Sequence, residues 1–304
     1  MNIEVVEVMR IFAKSAFDRE CINDKLKRGA AGVEIQLLGE DDKFFSDDWH
    51  DDIDLTPIIA IHLPLMKNFG NSSYDIESKD GMEMLKKVCE RANKIADELG
   101  KEIRVVCHFS SRVNKLQQLG MYDSLVKELQ VLSDNYASLM ICIENTPEEY
   151  ACWDNENIKL ISDVDRFNVK ACFDICHALM TERFTEYLSR GGVREVLTLE
   201  KQFECNADYC VHIHIANATW ANNRYGYDKG HGAPFLSRYD KNLSRVMPLY
   251  KQYLMDVDLI VEVQEDDYKE SKNFSETKDS IEKAMGFYSA NSNIQKLKEA
   301  AEES

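Results

Sequence analysis

The sequence lacks several features that would place it in well-known classes of protein. No stretch approaches the roughly 18 consecutive apolar residues that a membrane-spanning helix needs. The N-terminus has neither a basic segment nor a long apolar segment, so we expect no secretory signal peptide. Basic residues are few, with 37 Lys and Arg against 54 Asp and Glu, and the formal net charge is −17. Because such a surface repels polyanions at long range, these features favour a cytoplasmic protein that does not act on membranes or nucleic acid.

The nine cysteines include no Cys-x-x-Cys pair, and their number is odd. Cys107, Cys142 and Cys172 lie inside apolar runs, where a free thiol packs as a small hydrophobic group. We therefore expect reduced, structural thiols, as is usual in cytosolic proteins.

Strands and helices alternate along the chain. The predicted strands are short β-branched runs with little polar alternation, typical of strands covered on both faces. They span residues 3–8, 32–37, 58–62, 103–108, 140–144, 169–174, 210–216 and 259–263. The clearest helix spans residues 81–99, with apolar residues every three or four positions and Gly100 as an end signal, and the last helix spans 274–288.

Eight such units predict an α/β fold, a single (β/α)8 TIM barrel over residues 1–290, with a C-terminal helical tail over residues 291–304. A doubly wound open sheet would show the same alternation. No glycine-rich phosphate loop follows the first predicted strand, and no Pro/Gly/Ser-rich linker divides the chain, so the barrel is the better interpretation.

Six of the apolar runs end on residue types that ligate metals. In a barrel the C-terminal strand ends share one face, where the active site lies, so these side chains should converge. Three carboxylates and one imidazole suit Mn²⁺, Mg²⁺, Co²⁺ or Zn²⁺, and carboxylates this close together need a cation to offset their repulsion. We predict one divalent metal with four ligands: Glu144, Asp174, His212 and Glu262.

The remaining polar residues of these strands are candidates for more than one role. His212 and His214 are two positions apart and face the same side, and we prefer His212 as the ligand because its depth should match that of the others. His214, His62 and His108 would then bind substrate or a second metal, or act as ordinary histidines at the rim. Glu34 lies in mid-strand and is expected to support the ligands from inside the barrel.

Two long loops, residues 63–79 and 217–240, follow strands on the predicted catalytic face. The second loop contains Asp228 and His231, which are candidates for a second metal or for substrate binding. It also contains Arg224 and Lys229, which are candidates for an anionic substrate group such as phosphate, although either could be an ordinary solvated charge.

Several motifs together resemble the xylose isomerase-like TIM-barrel superfamily. They are Gly-Val-Glu34, Ile-His62-Leu-Pro, Val-Cys-His108, Ile-Glu144-Asn-Thr, Phe-Asp174-Ile-Cys-His177, His212-Ile-His214 and Val-Glu262-Val, in order from about residue 30 to 265. The superfamily contains sugar and sugar-phosphate isomerases and epimerases, and also endonuclease IV-type AP endonucleases.

For the epimerase branch the resemblance implies one divalent metal held by the four ligands named above. Glu144 and Glu262 would move a proton through an enediolate, and His177 would orient a substrate oxygen. The usual acidic residue after the seventh-strand motif is missing here, so the substrate stays open.

For the endonuclease branch the resemblance implies up to three Zn²⁺, bound also by His62, His108, Asp228 and His231, and hydrolysis of a phosphodiester. That branch carries Asp-x-His, whereas this chain has Asp228-Lys-Gly-His231 and a strongly acidic composition. We therefore predict a metal-dependent isomerase or epimerase of a sugar or sugar phosphate, with the AP endonuclease as the alternative. A non-catalytic sugar-binding barrel is a third class. The resemblance also allows a homo-oligomer.

Overall fold

The computed structural model describes residues 9–39, 43–46, 49, 52–64, 74–146, 155–192, 195–219 and 230–286. The strands are β1 Ile11–Ala16, β2 Val33–Gln36, β3 Ile58–His62, β4 Ile103–Phe109, β5 Leu139–Asn145, β6 Val169–Asp174, β7 Cys210–Ile215, β8 Asn217–Thr219, β9 Gly230–Ala233 and β10 Leu259–Val261. The helices are α1 Arg19–Lys27, α2 Lys79–Leu99, α3 Val113–Gln118, α4 Tyr122–Asn135, α5 Glu156–Val164, α6 Ile175–Arg190, α7 Leu199–Asn206, α8 Lys241–Tyr253 and α9 Lys272–Met285.

Eight parallel strands close into a barrel in the order β1-β2-β3-β4-β5-β6-β7-β10, and β10 pairs back onto β1. The predicted (β/α)8 barrel is confirmed, and an open sheet is excluded because every one of these strands has two neighbours. Strands β8 and β9 form a separate antiparallel pair between β7 and α8.

The prediction of the first barrel strand was wrong. The barrel begins with β1, Ile11–Ala16, and residues 3–8 lie outside the described residues, as does the predicted tail at 291–304. The run that forms β1 contains Lys14 and Ser15, which weaken its apolar signal. Lys14 faces the barrel interior, where acidic side chains compensate its charge.

Alternate residues of each barrel strand face opposite sides, as the two-residue period of a strand requires. On β5, Ile141 and Ile143 belong to the large core under the helices, whereas Cys142 and Glu144 face the barrel interior. Val106, Cys142 and Cys172 form a small apolar layer inside the barrel. The ionisable side chains therefore lie above this apolar layer, near the C-terminal ends of the strands.

Helix α2 illustrates how local sequence signals set the elements around the barrel. Its N-cap is Ser78, whose hydroxyl accepts a hydrogen bond from the Gly81 amide at 2.9 Å. It ends at Gly100, which adopts a left-handed conformation with φ 61°. The helix thus matches the prediction at its C-terminus and begins two residues earlier.

Eight cysteines lie among the described residues, and all are free thiols, seven of them buried. The thiols thus agree with the predicted structural role. Within the part of the chain that the structure describes, no helix combines the length and the apolar character needed to cross a membrane.

Candidate metal centre

Four strand ends bring their ligand atoms to one place. Glu144 at the end of β5, Asp174 at the end of β6, His214 on β7 and Glu262 just after β10 each place a ligand atom within 4.8 Å of the others. Strands β6 and β7 lie between β5 and β10 in the barrel, so Glu144 and Glu262 approach from separate strands with His214 between them. His214 Nδ1 lies 3.2 Å from Glu144 Oε1 and 2.9 Å from Glu262 Oε2.

The structure places His214, and not the preferred His212, in one group with the three carboxylates. The reason is the register between β6 and β7, in which Asp174 pairs with His214 and Cys172 pairs with His212. That register shifts between Ala171 and Cys172, and the shift has no signal in the sequence. His212 therefore lies one layer deeper.

Glu34 on β2 determines which nitrogen of the His214 ring faces the other carboxylates. His214 Nε2 lies 2.9 Å from Glu34 Oε2 and donates its hydrogen to that carboxylate, so Nδ1 faces Glu144 and Glu262. Carboxylates in this position commonly fix the tautomer and orientation of a metal-binding histidine. Burial would lower the pKa of His214, yet acidic neighbours, Glu34 among them, raise it well above its usual value.

His212 contributes to the support beneath the site. An Arg104 guanidinium nitrogen lies 3.3 Å from His212 Nδ1, and because arginine can only donate, that nitrogen accepts and Nε2 carries the proton. Nε2 then donates to Glu34 Oε2 at 2.5 Å. Burial lowers the pKa of His212 to about 4, so the ring is neutral.

Lys14 on β1 is a central residue that the sequence analysis missed. Its Nζ lies 2.6 Å from Glu262 Oε1 and 3.4 Å from Glu34 Oε1, and the side chain is 9% exposed. Burial would lower the pKa of Lys14, but Glu262 and Glu34 raise it, so the ammonium is charged. The available signal was a lone lysine in the apolar run Ile11–Ala16.

The Glu-Asn-Thr motif after β5 fixes the neighbouring strand end. Asn145 Oδ1 accepts a hydrogen bond from the Asp174 amide at 2.6 Å, and its amide group donates to the Asp174 carbonyl at 2.9 Å. Asp174 also caps α6, since its Oδ1 accepts from the His177 amide at 2.8 Å. His177 Nδ1 donates to the Asn145 carbonyl at 2.7 Å, so its Nε2 is left as an acceptor.

His62 and His108 flank the other side of Glu144. Their Nε2 atoms lie 3.0 Å and 2.9 Å from Glu144 Oε2, and these three residues form a second group that could hold an ion. His62 Nδ1 donates to the Leu63 carbonyl at 2.7 Å, and burial lowers the pKa of His62, so its Nε2 is unprotonated. His62 Nε2 and Glu144 Oε2 are then both acceptors and lie 3.0 Å apart, an arrangement that favours a cation beside them.

His231 on β9 reaches the site from the loop side. Its Nε2 lies 3.4 Å from Asp174 Oδ2, and Asp174, Cys176 and His231 form a further group that could hold an ion. Gly232 places β9 against the end of β10, because Gln264 donates its amide hydrogen to the Gly232 carbonyl at 2.8 Å. The loop candidates Arg224, Asp228 and Lys229 lie outside the described residues.

Exposure rises from the interior of the barrel to its mouth. Glu34, His212 and His214 are fully buried, whereas the side chain of Glu262 is 18% exposed and that of His231 is 29% exposed. Among these residues, Glu262 and His231 therefore lie nearest to the mouth of the barrel.

Both glutamates of the ligand group are ionised. Burial would raise the pKa of Glu144, but His108 and His214 lower it well below its ordinary value. Burial would also raise the pKa of Glu262, but Lys14 and His214 lower it well below its ordinary value. Glu262 Oε2 lies 2.9 Å from His214 Nδ1. An ionised oxygen beside an imidazole and two further carboxylates fits a divalent cation, which would take the place of the proton on that nitrogen.

A family model for the xylose isomerase-like TIM barrel matches residues 28–278. The chain belongs to this family. The strand-end residues described above all lie within the matched range, except Lys14, which precedes it. No curated protein matches the chain in sequence.

Solved structures of the same fold include both kinds of enzyme that the resemblance suggests. A D-allulose 3-epimerase from Methylomonas sp. in complex with D-allulose is 14% identical, with a TM-score of 0.60 over 91% of this chain and 97% of that one. The IOLI protein with a bound zinc atom is 16% identical, with a TM-score of 0.59 over 92% and 100%. A family 2 AP endonuclease from Brucella melitensis is 13% identical, with a TM-score of 0.55 over 87% and 96%. At these identities the likeness concerns the fold.

Proposed function

We propose that the chain is a divalent-metal-dependent isomerase or epimerase of a sugar or sugar phosphate. The observation that carries the proposal is the pair of ionised carboxylates, Glu144 and Glu262, on either side of His214. Proton transfer between two positions of a sugar, or between two faces of one carbon, needs a base and an acid held apart in this way.

Glu144, Asp174, His214 and Glu262 would hold the cation, with His214 in place of the His212 that we first predicted. A bound divalent ion would polarise a substrate carbonyl and stabilise negative charge on its oxygen. Mn²⁺, Mg²⁺, Co²⁺ and Zn²⁺ all suit a set of three carboxylates and one imidazole.

The protein's own residues would handle the proton. Glu262 lies at the mouth of the site and is kept ionised by Lys14, so it would accept the proton from a substrate carbon. Glu144 is ionised, so it would first take a proton from His108, whose Nε2 lies 2.9 Å from Glu144 Oε2 and whose pKa Glu144 raises against the effect of burial, and would then return that proton from the other side. His177 presents an unprotonated Nε2, which would accept a hydrogen bond from a substrate hydroxyl and so orient it.

The test is proton exchange at the carbon beside the carbonyl of a ketose. The protein would be loaded with Mn²⁺ and incubated in D₂O with a panel of ketoses and ketose phosphates, and deuterium incorporation followed by NMR. Metal-dependent incorporation into at least one member supports the proposal. If no member exchanges while the metal is bound, the isomerase proposal fails.

One observation favours a second candidate, a metal-dependent phosphodiesterase of the AP endonuclease type. The group of His62, His108 and Glu144, together with the group around His231, would provide places for a second and a third ion, as three Zn²⁺ require. Counting bound Zn²⁺ per chain separates the candidates, since one favours the isomerase and three favour the phosphodiesterase. Cleavage of a duplex with an abasic site would support the phosphodiesterase directly.

The proposal also includes the cellular location of the protein and its oligomeric state. The acidic composition and the reduced thiols favour the cytoplasm and a small sugar substrate rather than nucleic acid. A homo-oligomer is a prediction that light scattering would check.

A further inference from the structure

Lys14 takes part in a closed ring of charged contacts around His214. Its ammonium contacts one oxygen of Glu34 at 3.4 Å and one oxygen of Glu262 at 2.6 Å. The second oxygens of the same two carboxylates lie 2.9 Å from the two nitrogens of His214. The two carboxylates therefore share a cation on one side and an imidazole on the other.

We propose that Lys14 is a built-in cation that occupies the place where a further divalent ion would bind between Glu34 and Glu262. Lys14 would thereby limit how many ions the barrel binds and keep the Glu34 layer free of metal. The inference rests on the proposed metal centre, but it holds for either candidate reaction.

The charges within the barrel support this role. Among the described residues, Lys14 is the only lysine or arginine whose charged group contacts any of the four carboxylates Glu34, Glu144, Asp174 and Glu262. A fully buried carboxylate such as Glu34 needs a compensating charge, and breaking its ion pair leaves that charge uncompensated. Another cation would then be favoured in the same place.

The donors that such an ion needs are already present. Ligand atoms of Glu34, His62 and His214 lie within 4.8 Å of one another. Glu34 Oε1 is buried and accepts no hydrogen bond from the described residues, so the 3.4 Å contact with Lys14 is its compensating interaction. Removal of the ammonium would give a divalent ion this oxygen, Glu262 Oε1 and His62, the histidine of the group that is not part of the proposed centre.

The experiment counts metal ions. Metal-free full-length protein would be saturated with Mn²⁺ by equilibrium dialysis, and the bound metal per chain measured by elemental analysis. We expect Lys14→Met to bind one Mn²⁺ more per chain than the wild type, and Lys14→Arg to bind the same number as the wild type. Circular dichroism checks that each variant is folded, and Lys14→Gln serves as a second neutral variant if Lys14→Met does not fold.

The chain offers a matched control in Lys25. This lysine is also buried and ion-paired, with its Nζ 3.3 Å from Glu265 Oε1, but it lies outside the candidate centre. Lys25→Met removes a buried ammonium in the same way, and its Mn²⁺ count should equal that of the wild type. An extra ion in Lys25→Met as well would mean that general loosening, and not the place of Lys14, admits the metal.

A second substitution locates the additional ion. Glu34→Gln in the Lys14→Met background should return the count to the wild-type value, because the extra ion loses its main carboxylate. Glu34→Gln alone should leave the count at saturation unchanged.

Wild-type counts in both folded neutral variants, Lys14→Met and Lys14→Gln, would overturn the inference and leave the proposed function intact. A wild type that binds no Mn²⁺ would refute the metal centre itself.

Discussion

His214 Nε2 lies 2.9 Å from Glu34 Oε2, so a carboxylate at the back of the site determines which nitrogen of the imidazole faces the other ligands. Glu34 in turn is held by His212 and Lys14. The group at the strand ends is thus supported by a second layer of side chains: the charged Lys14 on β1 and Glu34 on β2, and the neutral His212 on β7.

Glu34→Gln tests this support. Without this charge, His214 Nε2 loses the carboxylate that fixes its proton. The affinity for Mn²⁺ should therefore fall on the order of 10- to 100-fold, as is usual when such a partner is removed. Isothermal titration of the metal-free protein measures the affinity. Glu128→Gln, which removes a half-buried glutamate paired with Lys86 far from the site, should leave the affinity unchanged. Equal affinities for Glu34→Gln and the wild type would show that the contact has no such role.

Substitution of the two β7 histidines distinguishes the ligand from its neighbour. His214→Gln should lose saturable binding at Mn²⁺ concentrations that saturate the wild type, because Nδ1 of His214 is the atom facing the carboxylates. His212→Gln should still bind the ion, although the loss of its bond to Glu34 should lower the melting temperature. The reverse pattern would restore His212 as the ligand.

Glu144→Gln removes one of the two proposed proton-transfer groups. Turnover on whichever sugar of the panel exchanges protons should fall on the order of 10²- to 10⁴-fold, the usual contribution of a positioned acid or base. Circular dichroism should show an intact fold. Glu90→Gln, at an exposed glutamate on α2, is the control for a lost surface charge and should keep full turnover. Unchanged turnover in Glu144→Gln would remove Glu144 from the mechanism.

The His231–Asp174 contact predicts a pH dependence in metal-free protein. Burial would lower the pKa of His231, but Asp174 raises it from 6.5 to about 9. A raised pKa contributes stability that is fully present below the unfolded value and is lost as pH rises through the folded value. With a chelator present, the melting temperatures of the wild type and His231→Gln should therefore differ most below pH 6.5 and converge above about pH 9. A difference that does not change with pH would contradict the assigned pairing.

Gly232→Ala tests how β9 is held against β10. Gly232 has φ 79°, and an added Cβ would lie 3.0 Å from Gln264 Cγ. The left-handed backbone alone costs about 1–2 kcal/mol for a residue with a side chain. Gly100→Ala, with φ 61° and no atom within 4 Å of the added Cβ, measures that part by itself. Chemical denaturation should show a larger loss for Gly232→Ala, and equal losses would mean that the close approach is not tight.

Much of the fold could be predicted from the sequence because the barrel strands are buried on both faces. Runs such as 103–108 and 169–174 are apolar and β-branched, so their positions were confirmed to within a residue or two. The first strand could not be found in this way, because Lys14 interrupts its apolar run and is stabilised by carboxylates from other strands, Glu34 on β2 and Glu262 just after β10.

The sequence predicts which strand-end residues gather at the site, but not the depth at which each of them lies in the barrel. Residues that end apolar strands must gather at the mouth of a barrel, and Glu144, Asp174 and Glu262 do so. The choice between His212 and His214 depends on the shifted register of β6 and β7, and the tautomers depend on Glu34 and Arg104 from other strands. These are relations between strands, which no single stretch of sequence contains.

The most direct test of the metal centre is anomalous scattering from crystals soaked in Mn²⁺. The structure leads us to expect an anomalous peak bounded by Glu144, Asp174, His214 and Glu262, with His214 Nδ1 as the nitrogen ligand. A map with no peak among these four residues, or with the ion bound by His212 instead, would contradict the proposed centre.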